Sequence, residues 1–124
     1  MYIIMPEKEN YMGRDLMKGD MPALVLAVLA EGPSHGYAIA RNIEAQSRQA
    51  FQMKEGTLYP TLRNLEQDGL LTADWEVQPS GPARKVYRIT DKGLGELTKR
   101  RAEWEEYAQT MQVILGGKPH AQPA

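Results

Sequence analysis

The chain contains no cysteine. Disulfides, thiolate metal sites and cysteine nucleophiles are thereby excluded. Histidine is scarce as well, with His35 and His120 the two examples in 124 residues, too few to suggest a metal cluster. No apolar run approaches the roughly 20 residues that span a bilayer. Residues 1–20 carry Glu7, Lys8, Glu9, Arg14, Asp15, Lys18 and Asp20 and lack a signal-peptide core. A cytoplasmic protein without a membrane partner is expected. Neither sign of charge is in excess, the formal net charge being −1. That argues against non-specific coating of nucleic acid, but leaves room for a local basic patch. No nucleophile–base pairing, Gly-rich phosphate loop or metal-ligand spacing is present, so neither an enzyme nor a bound cofactor is expected.

Pattern emerges at Pro22. Leu24, Val25, Val28 and Leu29 mark the buried face of a helix that stops at Glu31-Gly32-Pro33. Ser34 is a plausible N-cap for a second helix, His35 to about Ser47, with Tyr37, Ile39, Ala40 and Ile43 inward and Arg41, Asn42, Gln46 and Arg48 outward. Lys54–Gln67 is a third helix, with Leu58, Leu62 and Leu65 inward. Leu70–Gln78 reads as a strand with Leu71, Ala73 and Trp75 on one side, followed by the turn Pro79-Ser80-Gly81-Pro82. Arg84–Thr90 is the returning strand, Val86, Arg88 and Thr90 alternating with Tyr87 and Ile89. Asp91 is placed to cap a last helix reaching about Leu115.

Three helices, a hairpin and a long helix, in that order, are the plan of a winged helix-turn-helix, in which one helix enters the DNA major groove and the hairpin reaches the flanking backbone. The expected fold class is mainly α with a small β-hairpin (α+β). The expected organisation is an N-terminal arm or short helix (1–20), the winged helix-turn-helix (21–92), a C-terminal dimerisation helix (93–116) and a disordered tail (117–124). On the last helix Leu94, Leu97, Arg101, Trp104, Ala108, Met111 and Leu115 recur at spacings of three and four, close to a heptad seam. A helix of this length outruns a domain this small, so its far half is expected to bury against a second chain in a homodimer, through Leu97, Arg101, Trp104, Ala108, Met111 and Leu115. The alternative folds the helix back on its own domain.

Three blocks of residues resemble the PadR family of bacterial transcriptional regulators. They are Leu29–Ile39 (Leu-Ala-Glu-Gly-Pro-Ser-His-Gly-Tyr-Ala-Ile), Glu55–Leu71 and Arg84–Gly93. The single C-terminal helix resembles that of the shorter subfamily. The resemblance implies a dimeric winged-helix repressor acting at its own or a neighbouring promoter. Two positions depart from the family pattern: Ala38 stands where an acidic residue is frequent, and the wing, Gln78–Ala83, is short and has no basic residue at its tip.

The opposite arc of the third helix supplies the candidate DNA contacts Thr57, Tyr59, Pro60, Thr61, Arg63 and Asn64. Arg reads guanine and Asn reads adenine in bidentate pairs. Lys54 suits a phosphate at the helix N-terminus, and Arg84, Lys85 and Arg88 are natural phosphate contacts on the hairpin. His35 reads as a helix-start or phosphate-contacting group, and Gly36 as a close-packing site. Tyr59 serves equally as a half-buried packing residue. In multidrug-sensing relatives an aromatic residue on the last helix stacks flat ligands at the dimer interface. Trp104, with Tyr107 and Met111, resembles that arrangement and would take a small aromatic effector; as a bland alternative Trp104 anchors the dimer core. The expected partner is a palindromic double-stranded operator. The competing reading is a winged-helix protein-interaction module without DNA binding.

Overall fold

The computed structural model describes residues 20–117. The arm expected over 1–20 and the tail expected over 117–124 lie outside the described residues, apart from Asp20 and Gly117. Helix α1 spans residues 20–30. It buries Met21, Val25, Leu26, Val28 and Leu29, while Leu24 packs at the margin of the core. Gly32, at φ +150°, turns the chain out of the helix.

Ser34 and His35 form a short strand, β1, instead of starting a helix. Ser34 pairs with Tyr87 and His35 with Val86. The expected Ser34 cap is therefore absent: the cap position of α2 (Gly36–Gln46) falls to His35, whose side chain makes no capping bond. Gly36, Ile39, Ala40 and Ile43 are the buried residues of α2. Tyr37, expected inward, is 63% exposed. At about 100° per residue it stands roughly 200° round the helix from Ile39, so it cannot share that face. It lies instead beneath Arg41, one turn on, whose guanidinium is 5.0 Å from the ring centroid.

Helix α3 (Glu55–Gln67) buries Leu58, Leu62 and Leu65 as the spacing predicts. Pro60 is its sixth residue, beyond the first turn, so the helix forgoes the bond to the Gly56 carbonyl. The helix ends in a Schellman turn: Leu70 N–H donates to Leu65 O, Gly69 N–H donates to Glu66 O, and Gly69 takes φ +78°. Strand β2 (Leu71–Glu76) pairs antiparallel with β3 (Arg84–Ile89), from Leu71↔Ile89 to Glu76↔Arg84.

The sheet order is β1-β3-β2, one strand more than the expected hairpin. With β3 central, Val86 and Tyr87 are both buried despite pointing to opposite faces. Trp75 keeps the phase of Leu71 but is 69% exposed, because the hairpin projects past the helices that cover its base.

Helix α4 (Asp91–Gly116) is capped by Thr90, not Asp91. The Thr90 hydroxyl accepts from Gly93 N–H at 3.0 Å and donates to Gly69 O at 2.8 Å, fastening α4 to the end of α3. Gly93 and Leu97 are the buried residues of α4. Four helices and a three-stranded antiparallel sheet among the described residues make a winged-helix α+β fold.

Candidate nucleic-acid interface

The outward side of α2, the start of α3 and the hairpin enclose an open groove of about 1450 Å³. Helix α2 contributes Tyr37, Arg41 and Asn42, α3 contributes Tyr59, and the hairpin contributes Trp75, Arg84 and Lys85. Although the whole chain carries a net charge of −1, the groove is lined by three permanent cations and no carboxylate. Arg41 is paired with Glu44, and Lys85 lies 3.4 Å from Glu66. Arg84 is held by neutral acceptors: its Nε donates to Gln78 Oε1 and its Nη1 to His35 Nε2, each at 2.6 Å.

His35, Tyr59, Arg84 and Lys85 are the expected contacts that meet in this groove. Lys54, at the cap position of α3, and Thr57, Arg63 and Asn64 on the helix are exposed outside it, with Pro60 and Thr61 half-buried beside them. Thr61 spends its hydroxyl donor on the Thr57 carbonyl at 2.9 Å. Arg88 is exposed but does not line the groove. Tyr59 is the packing residue that its sequence position allowed: it is 39% exposed, and its ring comes within 2.8 Å of where a Cβ on Gly36 would be. Gly36 is thus the close-packing site that the sequence suggested.

Tyr37, Arg41, Asn42, Trp75 and Gln78 also line the groove without having been singled out. The signal for the first two was present: an aromatic residue out of phase with its own apolar face, four residues before an arginine. Tyr87 lies beneath the groove. Burial pushes its phenol above the usual value, with the neighbouring Lys85 opposing the shift.

The other candidate residues lie on α4, outside this groove. Trp104 and Tyr107 are stacked, with centroids 5.4 Å apart and planes at 29°, and both are about half exposed. They wall a cleft of about 550 Å³ between α1 and α4, together with Leu24, Ala27, Phe51 and Arg101. Ala108 and Met111 are half-buried and Leu115 is 75% exposed. Leu97, expected at the dimer seam, is instead buried in the core of its own chain.

The family described as "Transcriptional regulator PadR-like family" matches residues 25–99, from the middle of α1 into α4. The chain belongs to this family. A transcriptional regulator of Mycobacterium tuberculosis is 36% identical over 107 residues, which cover 86% of this chain and 94% of the relative. The negative transcriptional regulator PadR of Bacillus subtilis is 30% identical over 73 residues, 59% of this chain but 40% of the longer relative. A solved PadR family regulator from Eggerthella lenta superposes with a TM-score of 0.78 at 32% identity, covering 91% of this chain and 96% of that one. PadR family proteins are transcriptional regulators, not enzymes. No helix among the described residues is long and apolar enough to cross a membrane.

Proposed function

We propose that this PadR family member is a dimeric, sequence-specific DNA-binding regulator, acting as a repressor released by a small aromatic effector. The observation that carries the reading is the groove beside α3, whose lining holds three cations and no carboxylate in a chain with no overall positive charge. Phosphates bind to such a local patch. The exposed arc of α3 lies alongside, where Arg63 and Asn64 have the chemistry to read base edges.

Two such surfaces related by a two-fold axis would meet half-sites about one helical turn apart on a palindromic operator. The exposed far half of α4 supports the dimer. The Trp104–Tyr107 stack and the adjoining cleft support a flat aromatic effector there. An effector that binds one dimer geometry better than another shifts half-site spacing and so releases DNA.

Fluorescence anisotropy on the upstream promoter DNA, against scrambled DNA at two salt concentrations, tests this reading. A preference of about a thousandfold with strong salt dependence is expected. Charge reversal at Arg63 and Lys85 should abolish it while the dimer persists. A folded dimer that binds no DNA would transfer the protein to the interaction-module reading.

A further inference from the structure

Arg84 differs from the other cations of the groove. Arg41 and Lys85 each face a carboxylate, whereas Arg84 makes no ion pair among the described residues. Its guanidinium is nevertheless fixed at two points, both of them neutral acceptors. Gln78 Oε1 takes the Nε–H and His35 Nε2 takes a proton of Nη1. Gln78 is itself oriented, since its amide nitrogen donates to the Pro82 carbonyl across the hairpin turn. His35 is set by the backbone, through the pairing of β1 with Val86 of β3. A guanidinium has five N–H donors, so three remain, including both on Nη2. Two neutral acceptors fix its direction and leave its charge intact. A phosphate oxygen pair suits such a fork.

The hydrogen bond also specifies the state of His35. Arginine stays protonated in proteins, so His35 Nε2 must accept. The imidazole is then neutral, with its proton on Nδ1. A second proton would set an N–H and a positive charge against the guanidinium and break the bond. The charged and titratable groups that share the groove with His35 are Tyr37 and Arg41 from α2, Tyr59 from α3, and Lys85 and Tyr87 from β3 beside Arg84. None is a carboxylate that would hold an imidazolium in place.

We propose that His35 and Gln78 are positioning residues that aim the Arg84 guanidinium at a DNA phosphate, and that protonation of His35 releases it. The inference rests on the DNA-binding reading and adds the aiming and acid sensitivity of one phosphate-binding group. Operator affinity is measured against salt at about pH 8 and about pH 5.5, bracketing most of the range in which imidazoles change charge. The variants are Arg84→Ala, Gln78→Ala, His35→Ala and His35→Gln, with each clamp substitution repeated on the Arg84→Ala background.

Arg84→Ala should weaken binding about tenfold and flatten the salt slope by about 0.9 for each phosphate that Arg84 neutralises. His35→Ala and Gln78→Ala should reproduce part of both effects, and should add nothing once Arg84 is gone. His35→Gln, whose carboxamide oxygen can still accept, should recover most of the affinity that His35→Ala removes. The wild type should bind more weakly in acid by a step that Arg84→Ala and His35→Gln both lack. Equal effects of His35→Ala with and without Arg84, or acid tightening that depends on His35, would overturn the proposal.

If no form binds any operator, the DNA reading fails separately, and NMR of the free protein decides the clamp. The Arg84 Nε–H signal should broaden in step with the His35 titration. Independent behaviour of the two would overturn the clamp.

Discussion

A methyl group at position 93 would sit 2.3 Å from the Leu70 carbonyl oxygen and 2.7 Å from Ile89 Cγ1. The first obstacle is backbone, held in place by the Schellman turn, so no rotamer change removes it. Gly93→Ala should therefore destabilise the fold by about 2 kcal/mol or more, read as a lowered urea midpoint at unchanged slope. Tyr87 carries a second residue-scale consequence. Its buried phenol ionises above the usual value, while the unfolded chain releases that proton at about pH 10. Stability from this group is thus complete below about pH 10 and declines as pH rises through the raised folded value. Tyr87→Phe should flatten the fall in unfolding free energy between about pH 9 and about pH 11; an unchanged alkaline profile would remove Tyr87 as its cause. Single residues were legible in the sequence where periodicity governs them: Leu58, Leu62 and Leu65 are buried as their spacing required. Tyr37 and Trp75 were not, since apolar type alone suggested an inward side chain that helix phase and hairpin reach turn outward.

At the scale of elements, the hairpin was legible because Pro79–Pro82 leaves little choice but a turn. Strand β1 was not, because two residues cannot display alternation and Ser34 is equally at home as a cap. Its existence depends on the free edge of β3, a tertiary fact. The connection between α2 and α3 has a similar character. Arg48 and Gln49 adopt φ of 53° and 66°, a left-handed pair without glycine. Gln49 N–H donates to Glu44 O and Arg48 N–H to Ala45 O, so the turn is a second Schellman motif. The chain then returns through Ser47, whose hydroxyl accepts from Phe51 N–H, and through Glu44, whose carboxylate accepts from Met53 N–H. Four bonds hold a backbone conformation that costs a non-glycine residue about 1 kcal/mol. Arg48→Gly relieves that cost but widens the unfolded ensemble. The net expectation is a gain of a few tenths to about 1 kcal/mol, seen as a raised thermal midpoint. A decrease would mean that the Arg48 side chain, exposed as it is, contributes more than the backbone strain removes.

For the whole molecule, the decisive imbalance lies in α4. Its 26 residues extend for about 39 Å, yet Gly93 and Leu97, its buried residues, both fall in the first two turns. Beyond them Val113, Ile114 and Leu115 are 71%, 68% and 75% exposed, and the stacked Trp104 and Tyr107 about half exposed. The heptad-like spacing was visible in the sequence, but the division of the helix was not: Leu97 fits the seam and belongs to the domain core, because the Thr90 cap and Gly93 set the entry of α4 against the α3 turn. The unpartnered far half is what a second chain would cover. Ile114→Asp with Leu115→Asp places charge in that apolar stretch and leaves the buried core of the domain untouched. The double variant should sediment as a monomer while its thermal transition persists. Its operator affinity should fall by about a hundredfold or more, since two linked half-site interactions give far more than one alone. Its binding to a single half-site should be nearly unchanged, because the groove between α2, α3 and the hairpin lies outside α4. A variant that remains dimeric would place the interface nearer the Trp104–Tyr107 stack, and a monomer that keeps full operator affinity would sever recognition from the two-fold.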